Sequence, residues 1–286
     1  MTEHTALYVY ALLPDRPDAA DGVTGIDGRP LRLVRVPGTS VAALVHDAAP
    51  TPLEGGDDQV RRWVEEQSRA VDTVWERTGS VLPMTFNVLV AAEPSPEPSP
   101  EDGTAAGSPA GRSAEQRLTE WVTEQAADIG GQLEGLAGRC ELRVDITVDR
   151  TAATAGETGG AAEDAPEGGP DGLSPGMRRL MEKQREHRAR ATAGQLADTL
   201  HAETRQRLLA VVEDYRDRGP THRVAGETDV LCAALLVRRE DIDTVGAVLT
   251  ELRARQPAVR VRFLGPWPPY SFIDTAHRAR AEEMAP

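Results

Sequence analysis

Cysteine is nearly absent. Cys140 and Cys232 are the only two in 286 residues, so no disulfide framework holds the chain and its cohesion must come from packing. Aromatic residues are scarce at 4 %, which makes any cluster of them informative. Lysine occurs once, at Lys183, among 32 basic residues, a coding bias rather than chemistry. Bases as a class fall short of acids, 32 against 46, for a net charge of −14. That balance argues against nucleic-acid binding, which needs a basic face, and against adhesion to anionic lipid. No run of about 18 apolar residues occurs, so no membrane-spanning helix is expected. Met1-Thr2-Glu3-His4 lacks the basic start of a secretory leader and no apolar run follows it. The expected setting is the cytoplasm.

The residue patterns of common catalytic and metal sites are also missing. The six histidines, His4, His46, His187, His201, His222 and His277, form no H-x-x-x-H or H-E-x-x-H pair, and neither cysteine has a second cysteine nearby. There is no Walker A loop. Gly22 to Gly28 is glycine-rich but precedes a strand, not a helix, which is the wrong context for a dinucleotide. Glu141 lies on a strand and is read as structural or surface rather than as an acid–base group. The expectation is therefore no enzyme, no catalytic residue, no cofactor, no metal and no small-molecule substrate.

What is present is a chain long enough for two modest domains, interrupted by polar stretches. Leu7–Leu13 reads as a buried strand, followed by strands at 31–36 and 41–45 across the Pro37-Gly38 turn. Val60, Trp63, Val64, Val71, Val74 and Trp75 make one stripe on a helix from about Asp58 to Thr78, with Asp57-Asp58 as N-cap and Gly79 as C-cap. A strand over 81–90 contains Pro83 and so starts at an edge or bulge. Residues 92–112 have no apolar period and read as a disordered insertion. A helix from about Ser113 puts Leu118, Trp121, Val122, Ile129 and Leu133 on one face.

The second half opens with a strand over 140–148, whose alternation turns Cys140, Leu142, Val144, Ile146 and Val148 to a core. Residues 151–175 read as a second disordered insertion with five acids and no base. The two insertions carry −5 and −3, so −8 of the −14, and the folded parts are nearer neutrality. Residues 176–218 are helical in composition. A basic first half (177–193) reads as a surface helix or a partner-binding arm, with a break at Gly194 before an apolar second half. A short strand over 221–225, the very apolar strand 230–237, a helix capped by Asp241 and ended by Pro257, and a last strand 260–264 follow.

From Cys140 the order strand, helix, strand, strand, helix, strand is that of a ferredoxin-like fold. Right-handed crossovers would set the strands beginning at Cys140 and Val230 side by side in the middle, bringing the two cysteines close. The expected fold class is α+β with two domains. Residues 1–137 would form an antiparallel or mixed sheet covered by helices, and 138–286 a ferredoxin-like domain.

After the last strand comes Gly265-Pro266-Trp267-Pro268-Pro269-Tyr270-Ser271-Phe272. Three prolines and a glycine cannot continue a strand and fix a stiff path. Three aromatics in six residues then sit on that path, in a chain otherwise poor in them. The segment is either a rigid clasp packing on the protein's own domains or a docking surface of the Pro/aromatic kind.

GPWPPYSF after V-R-V-R-F resembles the terminal signature of the gas vesicle GvpL/GvpF family. The opening Leu7-Tyr8-Val9-Tyr10 is similar to that family's start. Val81-Leu82-Pro83-Met84-Thr85-Phe86 resembles its V-L-P-x-R-F-G segment, with Thr85 in place of Arg and Asn87 in place of Gly. Gly138-Arg139-Cys140-Glu141 resembles its G-x-x-E. Gly176, Leu180 and Lys183 resemble G-x-x-Y-L-x-x-K, with Arg179 in place of the aromatic. The resemblance implies a non-enzymatic accessory protein of gas vesicle assembly, contacting the shell protein GvpA and other accessory Gvp proteins, at the gas vesicle or in the cytoplasm. A ferredoxin-like small-ligand-sensing module is the alternative, an analogy from fold alone.

Overall fold

The computed structural model describes residues 6–93, 111–157, 174–219 and 224–273. It is an α+β chain that divides into two compact units, Met1–Arg139 with Trp267–Pro286, and Cys140–Pro266. The division falls inside the terminal motif. Trp267 onward belongs with the first unit and not, as expected, with the second.

In the first unit the strands are β1 (Ala6–Pro14), β2 (Arg32–Arg35), β3 (Val41–Ala48), β4 (Leu82–Pro83) and β5 (Leu89–Ala91). The sheet order is β2-β3-β1-β4, with β5 also paired to β1, and every pairing is antiparallel. The dense apolar run becomes the central strand because it can lose water on both faces: Ala6 through Leu13 are all buried. Tyr10 is an extra residue opposite β3, where the register passes from Val9↔Val45 to Ala11↔Leu44, a β-bulge.

Helix α1 (Asp57–Thr78) is capped one residue earlier than expected. Gly56 is the N-cap, and Asp57 and Asp58 occupy the first turn, where the helix dipole favours them. Gly79 ends it in the left-handed conformation (φ 82°), donating to the Trp75 carbonyl at 2.8 Å. The buried stripe is Trp63, Gln67, Ala70, Val71, Val74 and Trp75, whereas Val64 is 41 % exposed. The single strand expected over 81–90 is two short ones, because Asn87 between them takes φ 70°. The next helix is likewise two, α2 (Ala114–Glu124) and α3 (Ala126–Leu136), broken at Gln125. Ser113 and Gln116 form a reciprocal capping box on α2. The anticipated apolar face survives the break, with Leu118, Trp121, Val122, Ile129 and Leu133 all buried.

The second unit contains β6 (Arg139–Asp149), α4 (Arg150–Glu157), α5 (Pro175–Leu209), β7 (Asp214–Asp217), β8 (Glu227–Arg238), α6 (Ile242–Arg255) and β9 (Val259–Trp267), in sheet order β7-β8-β6-β9. The two apolar strands β8 and β6 are thus the inner pair. Ala193, Ala197, Leu200, Thr204 and Leu208 of α5, and Val245, Leu249 and Leu252 of α6, are buried at helical spacing.

Four expectations change here. Residues 151–157 are helix α4 rather than insertion; residues 158–173 of that stretch, and 94–110 of the other, lie outside the described residues. At the neck of the latter, Arg112 holds both Glu93 carboxylate oxygens, at 2.8 and 3.0 Å. Helix α5 runs straight through Gly194, because buried Ala193 and Ala197 on either side hold it and offset a glycine cost of about 1 kcal/mol. It ends at Leu209, so Tyr215 sits on β7 opposite Leu235 instead of on a helix. The strand expected at 221–225 overlaps residues outside the description. Finally, β9 continues through Gly265 and Pro266 to Trp267. Proline is tolerated there because β9 is an edge strand of the described sheet, with no neighbour in it awaiting the missing N–H.

Candidate functional site

The terminal motif changes character at each residue. Gly265 lies on β9 with φ 123°, and its peptide bond to Pro266 is cis. A Cβ on Gly265 would sit 2.8 Å from the Glu141 carbonyl oxygen and 3.0 Å from a Leu142 methyl. Only glycine allows β9 to lie this close to β6. Glu141 itself is fully buried and takes an ion pair from Arg143 Nε at 2.8 Å. A carboxylate removed from water needs such a partner, which fits its structural reading. The G-x-x-E segment and the terminal motif, 124 positions apart in sequence (265 less 141), are thus neighbours on paired strands.

Beyond Pro266 the motif is in the first unit. Pro268 and Pro269 are buried, Tyr270–Phe272 forms one 3-10 turn, and the Tyr270 and Phe272 amides donate back to the Pro268 and Pro269 carbonyls at 2.7 and 3.0 Å. Phe272 is buried. Trp267, Tyr270 and Ser271 are only partly covered, so the tryptophan and tyrosine are less enclosed than a pure clasp requires.

Two more family-like segments meet in the first unit, around β1. The Tyr8 hydroxyl donates to Gln67 Oε1 at 2.7 Å and accepts from the Asn87 amide at 2.9 Å. Gln67 Nε2 donates to the Met84 carbonyl at 3.0 Å. The Phe86 ring stands edge-on to Tyr8 at 6.4 Å. The Tyr10 hydroxyl accepts from the Ile26 amide at 2.8 Å and bonds His46 Nδ1 at 3.0 Å, while His46 stacks on Tyr8. Burial pushes the Tyr8 phenol up to about 12, with the Asn87 hydrogen bond opposing it, and raises Tyr10 further for the same reason. Sequence reasoning missed Gln67 and His46. Gln67 left a signal, as a polar residue on the buried stripe of α1; His46 left none beyond its place at the end of β3.

This cluster borders a hollow of about 250 Å³ whose lining includes Tyr8, Asp27, Asp47, Leu53, Glu54 and Trp63. Asp27, with φ 52°, accepts from Trp63 Nε1 at 3.0 Å and from Arg62 at 2.9 Å. Among the described residues no group of three or more His, Cys, Asp or Glu side chains could hold a metal ion. None of the helices described is long and apolar enough to cross a membrane.

The cysteines are free, Cys140 buried and Cys232 half-buried, with thiols pushed up to about 11 mainly by burial. They are not neighbours. Cys232 meets Asp145, five residues along β6 from Cys140, or about 16 Å at roughly 3.3 Å per residue.

The profile described as "Gas vesicle synthesis protein GvpL/GvpF" matches residues 6–274. The chain belongs to the GvpL/GvpF family. Its similarity to "Gas vesicle protein L2" of Halobacterium salinarum is 38 % over 87 residues, 29 % of this chain; the match spans 30 % of that relative's length. The GvpL/GvpF fold is evident in two crystal structures. That of GvpF from Anabaena sp. PCC7120 aligns with a TM-score of 0.62 at 16 % identity, covering 94 % of this chain and 96 % of that one. That of GvpF from Microcystis aeruginosa aligns with a TM-score of 0.58 at 16 % identity, covering 94 % and 98 %. At such identity these GvpL/GvpF neighbours establish the α+β architecture and nothing finer.

Proposed function

We propose that this protein is a non-enzymatic accessory protein of gas vesicle assembly, acting through contacts with the shell protein GvpA and other Gvp proteins, at the gas vesicle and in the cytoplasm. The family match across residues 6–274 carries this reading. The terminal motif supports a binding role because it is stiff and presents partly exposed rings. Prolines lower the entropy lost when a segment is held for a partner, and Trp and Tyr supply large area with a polar handle. The second unit is read as a ferredoxin-like domain with its boundary near residue 138, on the order β7-β8-β6-β9 with helices between β6 and β7 and between β8 and β9. A small-ligand sensor remains an analogy from fold alone.

The test is a pull-down with purified GvpA, paired with thermal unfolding of the same variants. Trp267→Ala with Tyr270→Ala should still unfold cooperatively and lose GvpA. A double variant that folds and still captures GvpA, and still supports vesicle formation, rejects the motif as the contact.

A further inference from the structure

Tyr10 is fully buried, and its hydroxyl has two hydrogen-bond partners among the described residues, the Ile26 amide at 2.8 Å and His46 Nδ1 at 3.0 Å. An amide N–H only donates, so the phenol oxygen accepts from Ile26. The phenol proton is then left to Nδ1, which must act as acceptor. His46 is therefore neutral in this arrangement, with its proton on Nε2. Burial raises the Tyr10 phenol, so it keeps its proton throughout the range in which an imidazole titrates.

Ile26 belongs to a loop that closes on itself. Thr24 and Pro30 form a bridge, and the Gly25 amide donates to the Arg29 carbonyl at 2.8 Å. The loop rests directly on Tyr10: a Cβ on Gly25 would come 2.1 Å from the phenol oxygen. Its polar ties to α1 are weaker. The Asp27 amide donates to Glu66 and the Asp27 carboxylate accepts from Arg62, both at exposed positions, and from Trp63 Nε1 at a half-buried one. Exposed ion pairs hold little. The bond from Ile26 to Tyr10 is the buried one. Ile26, Asp27 and Arg29 also line the hollow described above.

We infer that the loop Gly25–Arg29 is a flap at that hollow, latched through Tyr10 by neutral His46 and released when the imidazole takes up a proton. A proton on Nδ1 turns that nitrogen from acceptor to donor. The Tyr10 oxygen then faces two donors, and its own proton loses its buried acceptor. Lifting the loop admits water, which satisfies these groups, so acid favours the lifted form. The charged groups around the ring do not reverse this. Asp47, beside it on β3, holds Arg32, and Asp27 on the loop holds Arg62. Glu66 of α1 takes the Asp27 amide. Arg29 and Glu54 in the lining of the hollow oppose each other in charge. Tyr8 stacks on the ring with its hydroxyl committed to Gln67.

Amide hydrogen exchange by NMR on the full isotope-labelled chain, from about pH 8 to about pH 5, tests this, with each rate divided by that of the unstructured amide. Protection of Ile26 should fall about tenfold, the equivalent of one buried hydrogen bond, as the His46 ring titrates. Protection of the Asn87 amide, which Tyr8 holds instead, should stay level, and this separates a local release from general loosening in acid. His46→Asn sets a carbonyl oxygen near the place of Nδ1 and cannot titrate, so it should keep Ile26 protected at both ends of the range. Melting curves at about pH 8 establish that this variant is folded. Should it not fold, the natural chain decides, through the His46 ring shifts recorded alongside the Ile26 amide. Ile26 protection that stays constant while the ring titrates, a ring that stays neutral down to about pH 5, or a pH response that survives His46→Asn would overturn the inference.

Discussion

Gly265 and Glu141 meet across β9 and β6 so closely that a Cβ on the glycine would lie 2.8 Å from the glutamate's carbonyl oxygen. The same glycine holds φ 123°, where an L side chain is strained. Backbone rather than a yielding side chain is what a substitution would strike, so Gly265→Ala should destabilise the second unit. Strain of this kind costs about 1–3 kcal/mol, before any shift of β9. Urea unfolding should show a lower midpoint with an unchanged slope. An unaltered midpoint would mean that β9 can move away from β6 freely.

Gly194 provides the opposite case. It sits inside α5, and a Cβ added there would meet no heavy atom within 4 Å. Gly194→Ala should stabilise the helix by up to about 1 kcal/mol. Thermal unfolding of the two alanine variants side by side separates a glycine the fold requires from one it merely tolerates.

Tyr8 ties β1 to α1 and to the segment before β5. Tyr8→Phe keeps the ring but strands Gln67 and the Asn87 amide, at a cost of about 1–3 kcal/mol for buried partners. The phenol also sets an alkaline limit. Its folded value of about 12 lies above the ordinary 10, so the folded state keeps its proton longer than the unfolded one. The contribution is complete below pH 10 and is lost as the pH rises from 10 towards 12. Stability measured over that window should fall, and should fall less steeply in Tyr8→Phe.

Neither thiol should react readily in the native protein. With values near 11, both are almost fully protonated at about pH 8, and the thiolate is the nucleophile. Iodoacetamide should leave native protein largely unlabelled, and titration in denaturant without reductant should count two thiols. A count of zero would reveal a bridge that the separation of Cys140 from Asp145 does not permit.

Ser113 caps α2 through the Gln116 amide. Ser113→Ala should cost about 1 kcal/mol, seen as a small drop in melting temperature. Ser113→Asp should restore most of it, since a carboxylate also accepts from that amide and suits the helix dipole.

The sequence by itself determined the elements whose signal is local. The apolar run at β1, the alternation along β6, and the three- and four-residue spacing on α1 and α6 each specify a face to be buried, and burial follows wherever that face lands. GPWPPYSF was legible as a distinct segment for the same reason, since its prolines and rings act within eight residues. Only the tertiary structure decided where those local preferences yield. Val211, Val212 and Tyr215 keep helical spacing, yet α5 stops at Leu209 because Tyr215 gains a strand partner in Leu235. Pro266 looks like a strand terminator, yet β9 passes through it because an edge requires no donor on its outer side. Glu141 reads as an ordinary strand residue, yet in the fold it is fully buried with Arg143 as its ion partner. Gln67 gains its meaning from Tyr8 and Met84, 59 and 17 positions away. These are contacts between distant parts of the chain, and their energies depend on separations that no window of neighbouring residues contains.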